Sequence, residues 1–150
     1  MNKENLSIHG VLLSIDNIGI IIRGKSGIGK SECAAELINK GAKLVADDLI
    51  IISNINGELI GSSPEKIRNL IEIRGIGIIN VKDIFGALAV MKEAKLHLLI
   101  DLIEFNKENK YDRLGYDTVQ EEIMVRFLKN GEKFTLLVIM KIGQLLLKRV

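Results

Sequence analysis

Residues 20–38 read IIIRGKSGIGKSECAAELI and contain the strongest structural signal in the chain. The apolar, β-branched run at 18–22 predicts a strand, and the helical spacing of apolar residues predicts a helix over 31–40 that Gly41 ends. The eight residues GKSGIGKS at 24–31 connect the two and match the pattern GxxxxGKS. A strand, this loop and a helix in that order predict a phosphate-binding loop.

The loop has the residue types that phosphate binding requires. Glycines let the backbone curl so that successive N–H groups point at phosphate oxygens, and the helix N-terminus adds positive partial charge. Lys30 would supply a full charge, and Ser31 a hydroxyl for Mg²⁺. A glycine-rich turn without a ligand is the alternative, which the flanking strand and helix disfavour. We therefore predict that ATP is bound by Gly24, Lys25, Ser26, Gly27, Ile28, Gly29, Lys30 and Ser31.

The rest of the chain predicts an α/β fold with a mixed sheet around this nucleotide-binding core. Asn56 and Gly57 are a strong signal for a type I′ hairpin. Ser63 and Pro64 are typical of the N-cap and first position of a helix. Further strands are predicted at 8–14, 43–46, 49–55, 58–60, 96–105 and 134–140, and further helices at 63–70 and 117–130.

Composition limits the class of protein. A length of 150 residues predicts one domain over 1–150. Lys and Arg number 21 against 19 Asp and Glu, a net charge of +2 that is too small for a nucleic-acid-binding surface. No apolar run approaches the roughly 20 residues that span a membrane. With one cysteine, Cys33, and no signal peptide at the N-terminus, we expect a cytoplasmic protein.

Three acidic positions follow apolar runs and compete as magnesium ligand or catalytic base. They are the pair Asp47 and Asp48 in LVADD, Glu72 in LIEI, and Asp101 in LHLLID. Many phosphate-loop ATPases hold Mg²⁺ through an Asp at the end of a strand, which favours Asp101. Spacing alone leaves all three open.

Several segments together resemble the catalytic domain of the HPr kinase/phosphorylase family, over about residues 8–120. The resemblance implies an α/β core similar to the nucleotide domain of phosphoenolpyruvate carboxykinase. It also implies ATP- and Mg²⁺-dependent phosphorylation of a serine on HPr, a carrier of the sugar phosphotransferase system, and a homo-oligomer. The segments that carry it are His9-Gly10-Val11, GKSGIGKSE at 24–32, LVADD at 44–48, IEIRGIGIINV at 71–81 and YDRLG at 111–115.

The resemblance also implies roles for the acidic residues. Asp48 matches the family's acid/base group, while Ser31 and Glu72 match its magnesium ligands. A carboxylate beside a serine hydroxyl can accept its proton during attack and return one in the reverse direction. Neighbouring Asp47 either raises the pKa of Asp48 by like-charge repulsion or caps a turn.

Two further residues take roles from the resemblance. His9 matches a histidine near the phosphates and the catalytic carboxylate, although a lone histidine on an apolar strand is otherwise a core residue. Arg113 matches an active-site arginine that would neutralise the transferring phosphoryl group. The family offers no role for His97 or Asp101, which we interpret as strand residues.

The chain also departs from the family pattern. The family carries a separate N-terminal domain, which we expect to be absent here. Where the family has a PVRPGRN-like segment used in dephosphorylation, residues 135–150 read TLLVIMKIGQLLLKRV, so about 131–150 diverge and we expect phosphorylase activity to be weak or absent. The alternative functions are a small-molecule kinase or ATPase, and a regulatory nucleotide-binding module without turnover.

Overall fold

A computed structural model describes residues 5–103 and 137–142 of the chain. Within these residues the helices are α1 (Lys30–Asn39) and α2 (Val81–Phe85). The strands are β1 (Asn5–His9), β2 (Val11–Ile15), β3 (Ile18–Gly24), β4 (Lys43–Ala46), β5 (Leu49–Ile55), β6 (Glu58–Ser62), β7 (Leu70–Ile73), β8 (Gly77–Asn80), β9 (Glu93–Ile103) and β10 (Leu137–Ile142).

Eight of the described strands form one mixed sheet. Its order is β1-β5-β6-β9-β3-β2-β4, with β10 also paired to β9. The β3–β9 and β9–β10 pairs are parallel, whereas the other pairs of this sheet are antiparallel. The long strand β9 pairs with β6 near its start and with β10 near its end. The predicted α/β fold with a mixed sheet is therefore confirmed.

Two apolar clusters lie on opposite faces of the central strands. In β3, Ile21 belongs to one cluster while Ile20 and Ile22 belong to the other, as the alternation of side chains along a strand requires. Both faces are buried, which explains why this strand is an unbroken apolar run rather than an alternating one. Ala34 and Ile38 of α1 are buried in the second cluster, on the predicted apolar face of the helix.

The hairpin and several strand boundaries agree with the sequence. Asn56 and Gly57 adopt positive φ angles of 50° and 83° between β5 and β6, as a type I′ turn requires.

The predicted strand at 8–14 is in fact two strands that separate at Gly10. A Cβ atom there would lie 2.9 Å from the carbonyl oxygen of Ile22, so only glycine allows this close passage. Strand β1 then pairs with β5, and β2 with β3 and β4.

The predicted helix at 63–70 is wrong. Only one 3₁₀ turn forms, at Glu65–Ile67, and the chain becomes extended at Arg68. Ser63 does not cap this turn, because its hydroxyl donates to the Pro64 carbonyl oxygen instead. Asn69 has a positive φ of 66°, which a helix does not tolerate and which directs the chain into β7.

The hairpin of β7 and β8 and the short helix α2 are absent from the predicted elements. The hairpin turn places Gly75 and Gly77 at φ angles of 83° and 108°, so both glycines are needed by the backbone. The predicted strand at 96–105 begins earlier, at Glu93, and the last strand extends two residues beyond its predicted end to Ile142. The predicted helix at 117–130 lies outside the described residues.

Candidate active site

The glycine-rich loop connects β3 to α1, as the sequence predicts. A Cβ atom on Gly24 would lie 2.8 Å from both Ile28 Cγ2 and the Leu102 carbonyl oxygen, so a larger residue would displace the loop from β9. Gly27 and Gly29 have φ angles of 83° and 105°, a region that glycine enters without steric cost. The three glycines therefore allow the tightly curved backbone of the loop.

Lys30 is the first residue of α1, and its side chain folds back over the loop. Its Nζ donates to the carbonyl oxygens of Gly24 at 2.7 Å and of Lys25 at 3.1 Å. The ammonium group therefore lies at the centre of the loop, next to the helix N-terminus. A phosphate held by this loop would meet two sources of positive charge.

The loop forms one wall of a cavity of about 590 Å³, a volume within the range of small-ligand sites. Its other lining residues come from the end of β1, the end of β4 and the β7–β8 hairpin. The cavity thus brings together elements that are distant in the chain. Its lining residues are His9, Gly10, Gly24, Ser26, Gly27, Gly29, Lys30, Ser31, Glu32, Asp47, Asp48, Glu72, Ile73, Arg74, Gly75 and Gly77.

Asp48 lies at this cavity with an exposed carboxylate. Its φ of 68° is unusual for a residue with a side chain, and such backbone geometry is concentrated at functional sites. The Gly10 N–H donates to the Asp48 carbonyl oxygen at 3.1 Å. His9 Nδ1 lies 3.2 Å from that carbonyl oxygen and 3.8 Å from Asp48 Oδ1. The β1–β5 pairing creates this contact by placing His9 opposite Leu49.

Asp47, in contrast, is only 8% exposed, and its carboxylate is hydrogen-bonded to the main chain of β7. Its Oδ2 accepts a hydrogen bond of 3.0 Å from the Glu72 backbone N–H, which ties β7 to the end of β4. Burial raises the pKa of Asp47, and backbone hydrogen bonds from Glu72 and Asp48 oppose that rise. The sequence suggested a turn cap or a like-charge neighbour, but nothing in it indicated the link to Glu72, which joins residues 25 positions apart.

Ser31 and Glu72 line the cavity together with Asp47. Among the described residues, no group of three or more His, Cys, Asp or Glu side chains could hold a metal ion. Mg²⁺ does not need such a group, because it retains waters and is usually bound by one or two carboxylates plus substrate phosphates. One hydroxyl and one carboxylate beside the loop therefore fit Mg²⁺ that arrives with a nucleotide.

The other charged residues that the sequence offers for the site do not all lie at the cavity. Arg74 lines the cavity, and its Nη1 would lie 3.1 Å from a Cβ atom placed on Gly27. Asp101 instead lies in β9 and accepts two hydrogen bonds from Arg23. His97 Nδ1, also in β9, accepts from the Gly19 N–H at 3.0 Å. Asp101 and His97 are thus strand residues, as expected, and the predicted Arg113 lies outside the described residues.

Neither helix among the described residues has the length and apolar character that a membrane crossing requires.

Sequence comparison with known proteins finds relatives that share one name. The HPr kinase/phosphorylase of Alkaliphilus metalliredigens is 49% identical over 120 residues, which cover 79% of this chain and 39% of that protein. The HPr kinase/phosphorylase of Geobacillus thermodenitrificans is 47% identical over 119 residues, covering 79% and 38% respectively. The chain therefore spans about two fifths of the length of the curated relatives it matches.

Structural comparison agrees with the sequence. The solved structure of the Hpr(Ser) kinase/phosphatase from Coxiella burnetii matches with a TM-score of 0.81 and 34% identity, over 95% of this chain and 84% of that one. The family model of the HPr Serine kinase C-terminal domain matches residues 2–131. The chain belongs to the HPr serine kinase C-terminal domain family.

Proposed function

We propose that this chain transfers the γ-phosphoryl group of ATP to a serine hydroxyl of HPr. One observation carries the proposal: Asp48 lines the same cavity as Lys30 and Ser31 of the glycine-rich loop. A base and a phosphate-binding loop at one cavity are what transfer to a hydroxyl requires. Relatives named HPr kinase/phosphorylase support HPr as the acceptor.

The glycine-rich loop would act as a phosphate loop, in a core similar to the nucleotide domain of phosphoenolpyruvate carboxykinase. Backbone N–H groups of the loop and Lys30 would hold the β- and γ-phosphates. Since Asp48 lines the same cavity, the loop would hold the γ-phosphate on the side of the cavity that this carboxylate shares. Positioning of this kind accounts for most of the catalysis in phosphoryl transfer.

In the transfer step, the serine oxygen forms a bond to the γ-phosphorus while the bond between that phosphorus and the β–γ bridging oxygen breaks. ADP leaves with the electron pair of the broken bond. Asp48 accepts the serine proton, a role that its exposed carboxylate at the cavity allows. His9, 3.8 Å from that carboxylate, would orient it.

Ser31 and Glu72 would hold Mg²⁺, which would neutralise part of the negative charge of the phosphates. Asp47 contributes indirectly, because its hydrogen bond fixes the backbone from which the Glu72 side chain extends. Arg113 stays a prediction as the residue that neutralises the transferring group, as do the homo-oligomeric state and the cytoplasmic location.

The proposal predicts that label from γ-labelled ATP will appear on a serine of purified HPr. The measurement is HPr phosphorylation in the presence of Mg²⁺, with an HPr variant lacking the acceptor serine as the control. ATP consumption without label on HPr would instead indicate a small-molecule kinase or ATPase. ATP binding without turnover would indicate a regulatory module, and either result would contradict the proposed function.

We also expect the reverse reaction to be much slower than the forward one. In that reaction inorganic phosphate attacks the phosphoserine phosphorus, forming pyrophosphate, and the serine oxygen leaves with a proton from Asp48. The second anion needs positive groups, and residues 135–144 contain only one, Lys141. A lysine offers a point charge without the two-pronged contact of the arginines in the family's PVRPGRN-like segment.

The measurement is pyrophosphate release from phosphorylated HPr and inorganic phosphate, compared with the forward rate of the same preparation. Pyrophosphate formation at a rate similar to forward transfer would show that other residues hold the second phosphate.

A further inference from the structure

Arg23 and Asp101 form a two-pronged ion pair near the carboxyl ends of β3 and β9. Arg23 Nε donates to Asp101 Oδ1 and Nη2 donates to Oδ2, both at 2.8 Å. The two side chains are only 24% and 18% exposed, respectively. Parallel hydrogen bonds of this type fix geometry better than a lysine pair does. Neither residue lines the cavity, so the pair can influence the site only through its neighbours.

The stem of Arg23 packs against the junction of β1 and β2. A Cβ atom on Gly10 would lie 3.4 Å from Arg23 Cγ, so the stem closes one side of the space around this glycine. The Gly10 N–H in turn donates to the Asp48 carbonyl oxygen at 3.1 Å. Asp101 is thus hydrogen-bonded to Arg23, the Arg23 stem borders the space at Gly10, and Gly10 is hydrogen-bonded to the main chain of Asp48.

The glycine-rich loop, in contrast, is held in place by its own hydrogen bonds and by packing against β9. Lys30 Nζ binds the carbonyl oxygens of Gly24 and Lys25, and the Ile28 N–H donates to the Lys25 carbonyl oxygen at 3.2 Å. Gly24 also packs closely against Leu102 of β9. Loosening Arg23 should therefore displace Asp48 more than the loop.

We propose that Asp101 is a positioning residue for Asp48, acting through Arg23 and Gly10. The change in kcat that this inference predicts rests on the proposed function, in which Asp48 must lie within hydrogen-bonding reach of the acceptor serine. A displacement of the order of 1 Å lowers the rate of such a step by as much as about 10²-fold. ATP, held by the loop, is bound as before.

The test variant is Asp101→Asn, which keeps the side-chain size and removes the charge and one acceptor. We expect kcat for transfer to HPr to fall roughly tenfold while KM for ATP changes less than about twofold. The matched control is Glu58→Gln, which breaks the exposed ion pair between Lys95 of β9 and Glu58 of β6 and should leave kcat unchanged. Arg23→Lys keeps the charge and the packed stem without the two-pronged contact, so its kcat should be intermediate.

A second readout does not require activity. In Asp101→Asn, hydrogen exchange of the Gly10 amide should be at least severalfold faster than in Glu58→Gln, while the Ile28 amide in the loop should be unaffected. The inference is overturned if Asp101→Asn changes neither kcat nor Gly10 exchange, even if its melting temperature is lower. It is also overturned if Asp101→Asn loses ATP binding. If the wild-type chain transfers no phosphate to HPr, the proposed function fails and Gly10 exchange alone decides the inference. If Asp101→Asn does not fold, Arg23→Lys takes its place in both measurements.

Discussion

Replacing Lys30 by alanine should weaken ATP binding and lower phosphoryl transfer at least about 10²-fold, the usual cost of removing one preorganised donor to transition-state charge. Two effects combine in this variant. The charge that the proposed function assigns to the β- and γ-phosphates is lost. The hydrogen bonds that Lys30 Nζ makes to the Gly24 and Lys25 carbonyl oxygens are also lost, so the loop itself becomes less ordered.

The measurements for Lys30→Ala are ATP affinity by calorimetry and transfer rate on HPr. Lys40→Ala is the matched control, because Lys40 follows the same helix, does not line the cavity, and has an ammonium group that binds the exposed Glu36 carboxylate. The control should retain both ATP affinity and rate. Wild-type affinity and rate in Lys30→Ala would show that the loop does not bind the phosphates.

Replacing Asp48 by asparagine should lower turnover by about 10² to 10⁴, the typical contribution of a general base, while ATP still binds. Asparagine suits the positive φ of this position as well as aspartate does, so the backbone of the site is retained. The substitution therefore removes the proton acceptor and little else.

Asp16→Asn is the control for this variant. Asp16 is also exposed and has a positive φ of 50°, but it lies in the turn between β2 and β3 and does not line the cavity. Its variant should keep the wild-type rate. A larger loss of turnover in Asp101→Asn than in Asp48→Asn would assign the base to Asp101 and contradict the role proposed for Asp48.

Features that depend on neighbouring residues could be predicted from the sequence. The loop at 24–31 and the hairpin at Asn56-Gly57 each have a local pattern that restricts the backbone. The 63–70 helix failed because Ser63 and Pro64 are compatible with several continuations, and the positive φ of Asn69 decides among them.

The same distinction between local and long-range features applies to the candidate site. Asp48 and His9 line the same cavity, and only a family resemblance predicted that they lie together, since no local rule joins residues 39 positions apart. The hydrogen bond from the Glu72 N–H to Asp47 and the Arg23–Asp101 pair could not be predicted, because each depends on strand pairings that are distant in the chain. Such contacts are set by tertiary structure, which periodicity does not encode.

The parallel pairing of β3 with β9 has a consequence for the order of folding. Arg23 and Asp101 are 78 positions apart, whereas the β2–β3, β5–β6 and β7–β8 hairpins join neighbouring segments. Closing a long loop is entropically costly, so the hairpins should form first and β9 should join late. During synthesis on the ribosome, the apolar strand β3 would then keep one unpaired edge until β9 emerges, and an unpaired apolar edge favours aggregation of the nascent chain.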